Sequence, residues 1–381
     1  MFKSITDFIK TQFPNQDFIP LHEPRFVGNE KKYLNDCIDS TFVSSVGAYV
    51  DLFEQKMCEL TGAKHCIAIV NGTNALHLSL LLAGVKDEDE VLTQALTFIA
   101  TANAISYCNA TPHFVDVDKD TLGLSPTLLK KHLQEIAEVK DGICYNKNTG
   151  KKISACVPMH TFGIPLYIDE LIEVCNEYHI PVVEDAAESL GSYYKEKHTG
   201  TFGLLGTFSF NGNKTITCGG GGAIVTNDDA LAIRGKHLST QAKVPHKWEY
   251  VHDEIGYNYR MPNLNASLAC AQLENLASFI RNKRELAKNY QQFFKSKKIN
   301  FAKEQKDSVA NYWLNALILK DKEERNDFLA YSNSNGVMAR PIWELMSNLQ
   351  LFKNCPKSNL ENSNWLVERV VNIPSSVRVN S

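Results

Sequence analysis

Phe208-Ser209-Phe210-Asn211-Gly212-Asn213-Lys214, followed by the glycine run Gly219 to Gly222, decides how this chain is read. The β-favouring stretch Gly206 to Phe210 delivers one lysine into a loop whose glycines permit tight turns, so its amine can be partly desolvated beside a bound ligand. Such an amine suits imine chemistry. Upstream, Ile180-Pro181-Val182-Val183-Glu184-Asp185-Ala186-Ala187-Glu188-Ser189 reads as a buried strand that ends in carboxylates. That pattern puts Asp185 at the ligand-binding edge of a parallel sheet, where a carboxylate is costly to ionise unless a cation faces it. Pyridoxal phosphate needs a lysine for its aldehyde, an acid for its pyridinium nitrogen and a cradle for its phosphate. Lys214 and Asp185 supply the first two.

The cradle is sought at Asn71-Gly72-Thr73-Asn74-Ala75-Leu76, where the strand His65 to Val70 runs into a helix. Gly72 lets the backbone turn, and a helix N-terminus offers unpaired donors and a favourable dipole for an anion. Gly72, Thr73 and Asn74 are the proposed cradle, with the Ser209 hydroxyl as a further donor. Phe98 is a candidate to stack on the cofactor ring, Glu188 to reach the ring hydroxyl, and His160, just past the strand Ile153 to Met159, to contact ring substituents or a bound substrate. Taken singly, each has an ordinary alternative: a plain N-cap, a half-buried strand serine, a core phenylalanine, a solvated helix-start acid, a satisfied structural histidine.

Strand-like runs at His65 to Val70, Glu90 to Leu92, Pro112 to Val117, Ile153 to Met159, Ile180 to Glu184, Thr207 to Phe210 and Ala223 to Thr226 alternate mostly with helical patterns. The alternation predicts an α/β fold with a mostly parallel central sheet. Helices are predicted at Asn74 to Leu82, Ile168 to His179, Asp228 to Ser239 and Asn265 to Phe294, and Asn146 to Lys152 reads as an exposed hairpin tip. Past residue 240 the texture shifts to longer charged helices and a short α+β region. The expected division is a large unit over 1–240, including an amphipathic segment at 1–20, and a smaller C-terminal α+β unit over 241–381. With 381 residues, 44% hydrophobic and 22% charged, the chain has ample core. A net charge of -3 gives no basic excess for nucleic acid or an anionic membrane, so small molecules are the expected partners. Ten cysteines without a CxxC pair, no signal peptide and no apolar span suggest a cytoplasmic protein.

The set of Asn71 to Leu76, Met159-His160-Thr161-Phe162-Gly163, Glu184 to Ser189, Ser209-Phe210 through Lys214 and Gly256-Tyr257-Asn258-Tyr259-Arg260-Met261 resembles the DegT/StrS nucleotide-sugar aminotransferases. The resemblance implies the aspartate-aminotransferase fold, called fold type I, with pyridoxal 5'-phosphate cycling through pyridoxamine 5'-phosphate and no metal. It implies that Lys214 carries the cofactor aldehyde, Asp185 pairs with the ring nitrogen, and Ser209 with Gly72 and Thr73 holds the phosphate. It further implies a homodimer with shared active sites, in which Asn258 reaches the neighbouring subunit's phosphate and Arg260 helps bind the carboxylate of the amino donor, L-glutamate, which leaves as 2-oxoglutarate. Ser45 and Gly47 resemble a segment that lines the sugar site. Gly219 to Gly222, with Arg340-Pro341-Ile342-Trp343, resembles the LegC-type subgroup, which aminates C4 of nucleotide-linked 4-keto-6-deoxy-N-acetylhexosamines for legionaminic-acid-like surface sugars. Glu188 departs from a glutamine common in the family. The competing readings are a sugar dehydratase, in which a histidine replaces the lysine, a non-catalytic cofactor-binding regulatory protein, and a hydride-transfer enzyme.

Overall fold

The computed structural model describes residues 1–378. Its centre is a sheet of seven strands, β1 (His65–Ile69), β2 (Glu90–Gln94), β3 (Thr111–Val115), β4 (Ile153–Val157), β5 (Val183–Asp185), β6 (Leu205–Ser209) and β7 (Gly222–Thr226). The parallel ladder β3-β2-β4 joins the ladder β5-β6-β7-β1 through bridges from Cys156 to Val182 and from Met159 to Asp185. Every neighbouring pair is parallel except those of β7, which runs against both β6 and β1. These strands are near-continuous apolar runs because helices cover both faces. Each sits within a few residues of a run expected from the sequence, in the mixed α/β architecture of fold type I.

Register decides where the chemistry goes. Thr207 pairs with Asp185, so β5 and β6 end side by side. Gly222 lies opposite both Ile69 and Ser209, which brings the end of β1 to the end of β6. A side chain on Gly222 would meet the Asn71 carbonyl oxygen at 2.4 Å, so only glycine lets that crossing close. The helix that follows, Gly72–Leu82, buries Leu76, Leu78 and Leu80 beneath the sheet.

The tip at residues 146–152 closes as expected, with Tyr145 bridged to Lys152. Asn146 itself turns inward and donates to Glu90 at 2.8 Å. A second antiparallel sheet is built in the order Asn300–Phe301, Asn315–Ile318, Val370–Ile373, Arg340–Pro341. The long helix Asn263–Ser296 spans the cores of both sheets: Ala266 and Cys270 pack with Phe53 and Met57, and Leu286, Tyr290 and Phe294 pack against the second sheet. The apolar stripe of the first helix, Phe2–Gln12, buries Ile5 and Ile9 in that second core. All ten cysteines are free thiols, mostly buried. Among the described residues no helix is long and apolar enough to cross a membrane.

One buried histidine makes the fold acid-sensitive. His198 Nε2 accepts the Gly191 N–H at 2.8 Å, which leaves Nδ1–H to donate to the Thr199 carbonyl, so the ring is assigned as neutral. Burial depresses its pKa from 6.5 to about 4. A proton that the unfolded chain binds below pH 6.5 is therefore refused by the fold until about pH 4, and stability is lost as pH falls across that window. The urea midpoint should drop between those two pH values, and His198→Gln, which keeps an acceptor but cannot titrate, should flatten that part of the profile.

Candidate active site

The ends of β5 and β6 and the start of the helix Gly72–Leu82 surround a cleft of about 310 Å³. Eight residues expected from the sequence line it: Gly72, Thr73, Phe98, Asp185, Glu188, Ser209, Lys214 and Trp343. At one end Asn71 caps the helix by accepting the Asn74 N–H at 2.8 Å, while the first N–H groups of the helix have no intrahelical carbonyl to reach. A side chain at Gly72 would meet the Ser209 Cβ at 2.7 Å and its hydroxyl at 3.1 Å. The missing Cβ therefore leaves a concave cradle of backbone donors and one hydroxyl, the chemistry a phosphate needs. Asn74 spends its N–H on the cap and does not line the cleft.

At the other end lie the amine and the acids. Lys214 Nζ is 3.7 Å from Glu188 Oε1 and sits 4.2 Å from the centre of the Trp313 ring. Asp185 is buried, with its carboxylate accepting the Thr101 hydroxyl at 2.7 Å and the Ala187 N–H at 3.2 Å. Burial raises its pKa against the pull of these donors and of Lys214. Glu188 is pushed up to about 7, again by burial, with Lys214 and the Phe162 N–H at 2.8 Å opposing the shift. Two carboxyls held above their ordinary range beside a lysine make a site poised to receive a cation. A phosphate cradle, a facing acid and a reachable amine fit pyridoxal phosphate at three points.

The aromatic wall is partly open. Phe98 is 47% exposed, which rules out a core role, and its ring meets Trp343 edge-on at 6.2 Å. The ring or substrate contact expected of His160 is not available at the cleft surface. His160 is fully buried, with Nδ1 accepting the Leu166 N–H and Nε2 donating to Glu184 at 3.0 Å. Glu184 in turn collects the N–H groups of Gly200, Phe202 and Gly203, so this pair is scaffolding behind Asp185.

Ser45, Gly47 and Arg260 line a separate cavity of about 280 Å³. Among the described residues Arg260 Nε is buried there without a hydrogen-bond partner. Asn258 is exposed and bridges Thr240, apart from the Lys214 cleft of its own chain. Sequence reasoning missed Trp313 and Thr101. Thr101 lies three residues beyond Phe98, in the first turn of the helix Ile99–Tyr107. Trp313 comes 100 residues after Asn213, and no local pattern points to it.

The family model of the DegT/DnrJ/EryC1/StrS aminotransferases matches residues 24–381. Over 360 residues the chain is 37% identical to a GDP-perosamine synthase of Escherichia coli O157:H7, covering 94% of this chain and 93% of that one. A GDP-perosamine synthase of Vibrio cholerae is 36% identical over 360 residues, covering 94% of each chain. Among solved structures, Helicobacter pylori PseC, an aminotransferase involved in the biosynthesis of pseudoaminic acid, shares the fold with a TM-score of 0.86 over 95% of each chain, at 22% identity. The chain belongs to the DegT/DnrJ/EryC1/StrS aminotransferase family, and is a sugar aminotransferase whose cofactor is pyridoxal 5'-phosphate, exchanging with pyridoxamine 5'-phosphate.

Proposed function

We propose that this protein moves the amino group of L-glutamate to C4 of a nucleotide-linked 4-keto-6-deoxy sugar destined for a cell-surface glycan. The observation that carries the reading is the juxtaposition of Lys214, Asp185 and the Gly72–Ser209 cradle in one cleft. Two relatives named for GDP-perosamine support a GDP-linked acceptor. The LegC-type acceptor, a UDP- or GDP-linked N-acetylhexosamine, draws support from Trp343 on the cleft wall.

When bound, the cofactor supplies an electron sink that acidifies the C–H beside a substrate nitrogen and stores the amino group between half-reactions. The protein does the rest. Gly72, Thr73 and Ser209 hold the phosphate and so fix the ring's position. Asp185, costly to ionise alone, is relieved by a ring nitrogen that carries a proton, and it keeps that proton in place. Lys214 would hold the aldehyde end of the cofactor, and its tethered amine would be the group placed to take the proton from the amino donor's Cα and return it. Trp313 and Trp343 give the cleft apolar walls beside that amine.

The reading requires a homodimer in which Asn258 and Arg260 of one subunit serve the cleft of the other. An exposed Asn258 and an unpartnered Arg260 Nε support it. Incubation with nitrogen-labelled glutamate and a panel of GDP- and UDP-linked 4-keto sugars, followed by mass analysis, is expected to yield a labelled 4-amino sugar. Loss of the 3-hydroxyl without label incorporation would instead mark a dehydratase.

Lys214→Ala should abolish turnover while still binding pyridoxamine phosphate, and near-normal amination by that variant would remove Lys214 from the mechanism. Asp185→Asn should retain cofactor yet slow exchange of the glutamate Cα proton with solvent by about 100-fold or more. Glu188 changes charge near pH 7, losing its attraction for the Lys214 ammonium as pH falls below that point. Glu188→Gln is expected to stay active and to flatten the acidic limb of the kcat/KM profile.

A further inference from the structure

A lysine far from the reacting atoms is tied to Lys214 by a short chain of contacts. Lys283, on the helix Asn263–Ser296, is fully buried. Its Nζ donates to the Trp313 carbonyl at 3.1 Å and to the Ser375 carbonyl. No carboxylate pairs with it among the described residues. Burial lowers its pKa to about 7, and the nearby His22 is held neutral by burial and by the charge of Lys283.

Trp313 is the next link. Its ring lies 4.2 Å from the Lys214 amine, and its indole N–H donates to the carbonyl of Asn213, the residue before that lysine, at 2.6 Å. The backbone leading into it is under tension, because Tyr312 has a φ of 49°, a region a bulky residue rarely visits. Asn311 pins the same segment: its side chain donates to the Glu188 and Leu190 carbonyls at 2.9 Å each and accepts the Trp313 N–H at 2.8 Å. A strained segment stays put only where its surroundings over-determine it, and the Lys283 bond to the Trp313 carbonyl is one of those ties.

We propose that Lys283 is a positioning residue: by holding the main chain of Trp313 it fixes the indole that in turn fixes the loop and amine of Lys214. The inference rests on Lys214 being the amine that meets the cofactor. It deepens that reading by assigning part of the amine's placement to the C-terminal unit.

The test is Lys283→Met in the full-length protein, with Lys283→Arg as the variant that keeps two donors. Three quantities are measured: melting temperature, turnover with glutamate, and the rate at which formaldehyde and cyanoborohydride methylate Lys214 in the cofactor-free protein, read by peptide mass. Lys283→Met should melt near the wild type, label Lys214 several-fold faster, and lose turnover by about 10- to 100-fold, as a displacement on the order of 1 Å costs. Lys283→Arg should recover both labelling protection and turnover. Wild-type labelling in a folded Lys283→Met protein overturns the inference, whether turnover is kept or falls together with the melting temperature. If Lys283→Met does not fold, Trp313→Phe decides, since it keeps a ring but loses the bond to Asn213: faster labelling supports the inference and unchanged labelling overturns it. Absence of a lysine-bound cofactor absorbance in the wild type would refute the assignment of Lys214 instead, and this inference with it.

Discussion

A carboxylate sealed at the end of a buried strand has to be answered by something positive or give up its charge. Asp185 and Glu188 both sit in that position, at the C-terminal end of β5 and just beyond it, and burial lifts the pKa of each. Thr101, the Ala187 N–H and the Phe162 N–H soften the penalty with hydrogen bonds, and Lys214 softens it with charge. None of these partners neutralises Asp185 outright. The rest of the cleft follows from bringing a cationic ring to that acid and anchoring its phosphate at the far end.

The anchoring depends on strand register. Because β7 runs antiparallel between β1 and β6, Gly222 faces Ile69 on one side and Ser209 on the other. The turn after β1 is thereby drawn over the end of β6 until Gly72 touches Ser209. β1 and β6 both run against β7, so they point the same way and end at the same edge of the sheet. Glycine at 72 and 222 is what allows two backbones and a hydroxyl to crowd into a space the size of a phosphate.

Much of this was legible in the residues. The seven central strands announce themselves as short apolar runs between helical patterns, and the cleft residues on them follow from strand ends and glycine turns, both local signals. His160 was ambiguous because its neighbours in sequence, Met159 and Thr161, cannot reveal that Glu184 waits behind the strand to take its Nε2–H. Trp313 was invisible for a related reason: it reaches Lys214 only after roughly 100 residues of intervening chain have folded a second sheet and the helix Asn263–Ser296 around it. The first helix poses the same difficulty, since its amphipathic pattern declares that one face is buried without saying against what. Long-range contacts of this kind are set by the packing of whole units, and no motif of a few residues encodes them.

The charge pattern beneath the cleft has a direction. The acids in front, Asp185 and Glu188, are shifted toward their neutral forms, and the bases behind, His22 and Lys283, are shifted toward theirs. Burial works on both sets at once, so the protein alone carries less charge here than its composition suggests. A ligand with a cationic ring at one end and an anionic group at the other restores charge only where fixed partners meet it: the ring at Asp185, the phosphate at the helix start. It leaves the bases behind Trp313 untouched. Lys283 serves the backbone there as a hydrogen-bond donor to the Trp313 carbonyl, whereas neither ring nitrogen of the buried His22 has a partner among the described residues. The same low dielectric that raises the acids at the front of the site strengthens the Lys283 hydrogen bond at its back, and through Trp313 that tie is what the Lys214 amine leans on.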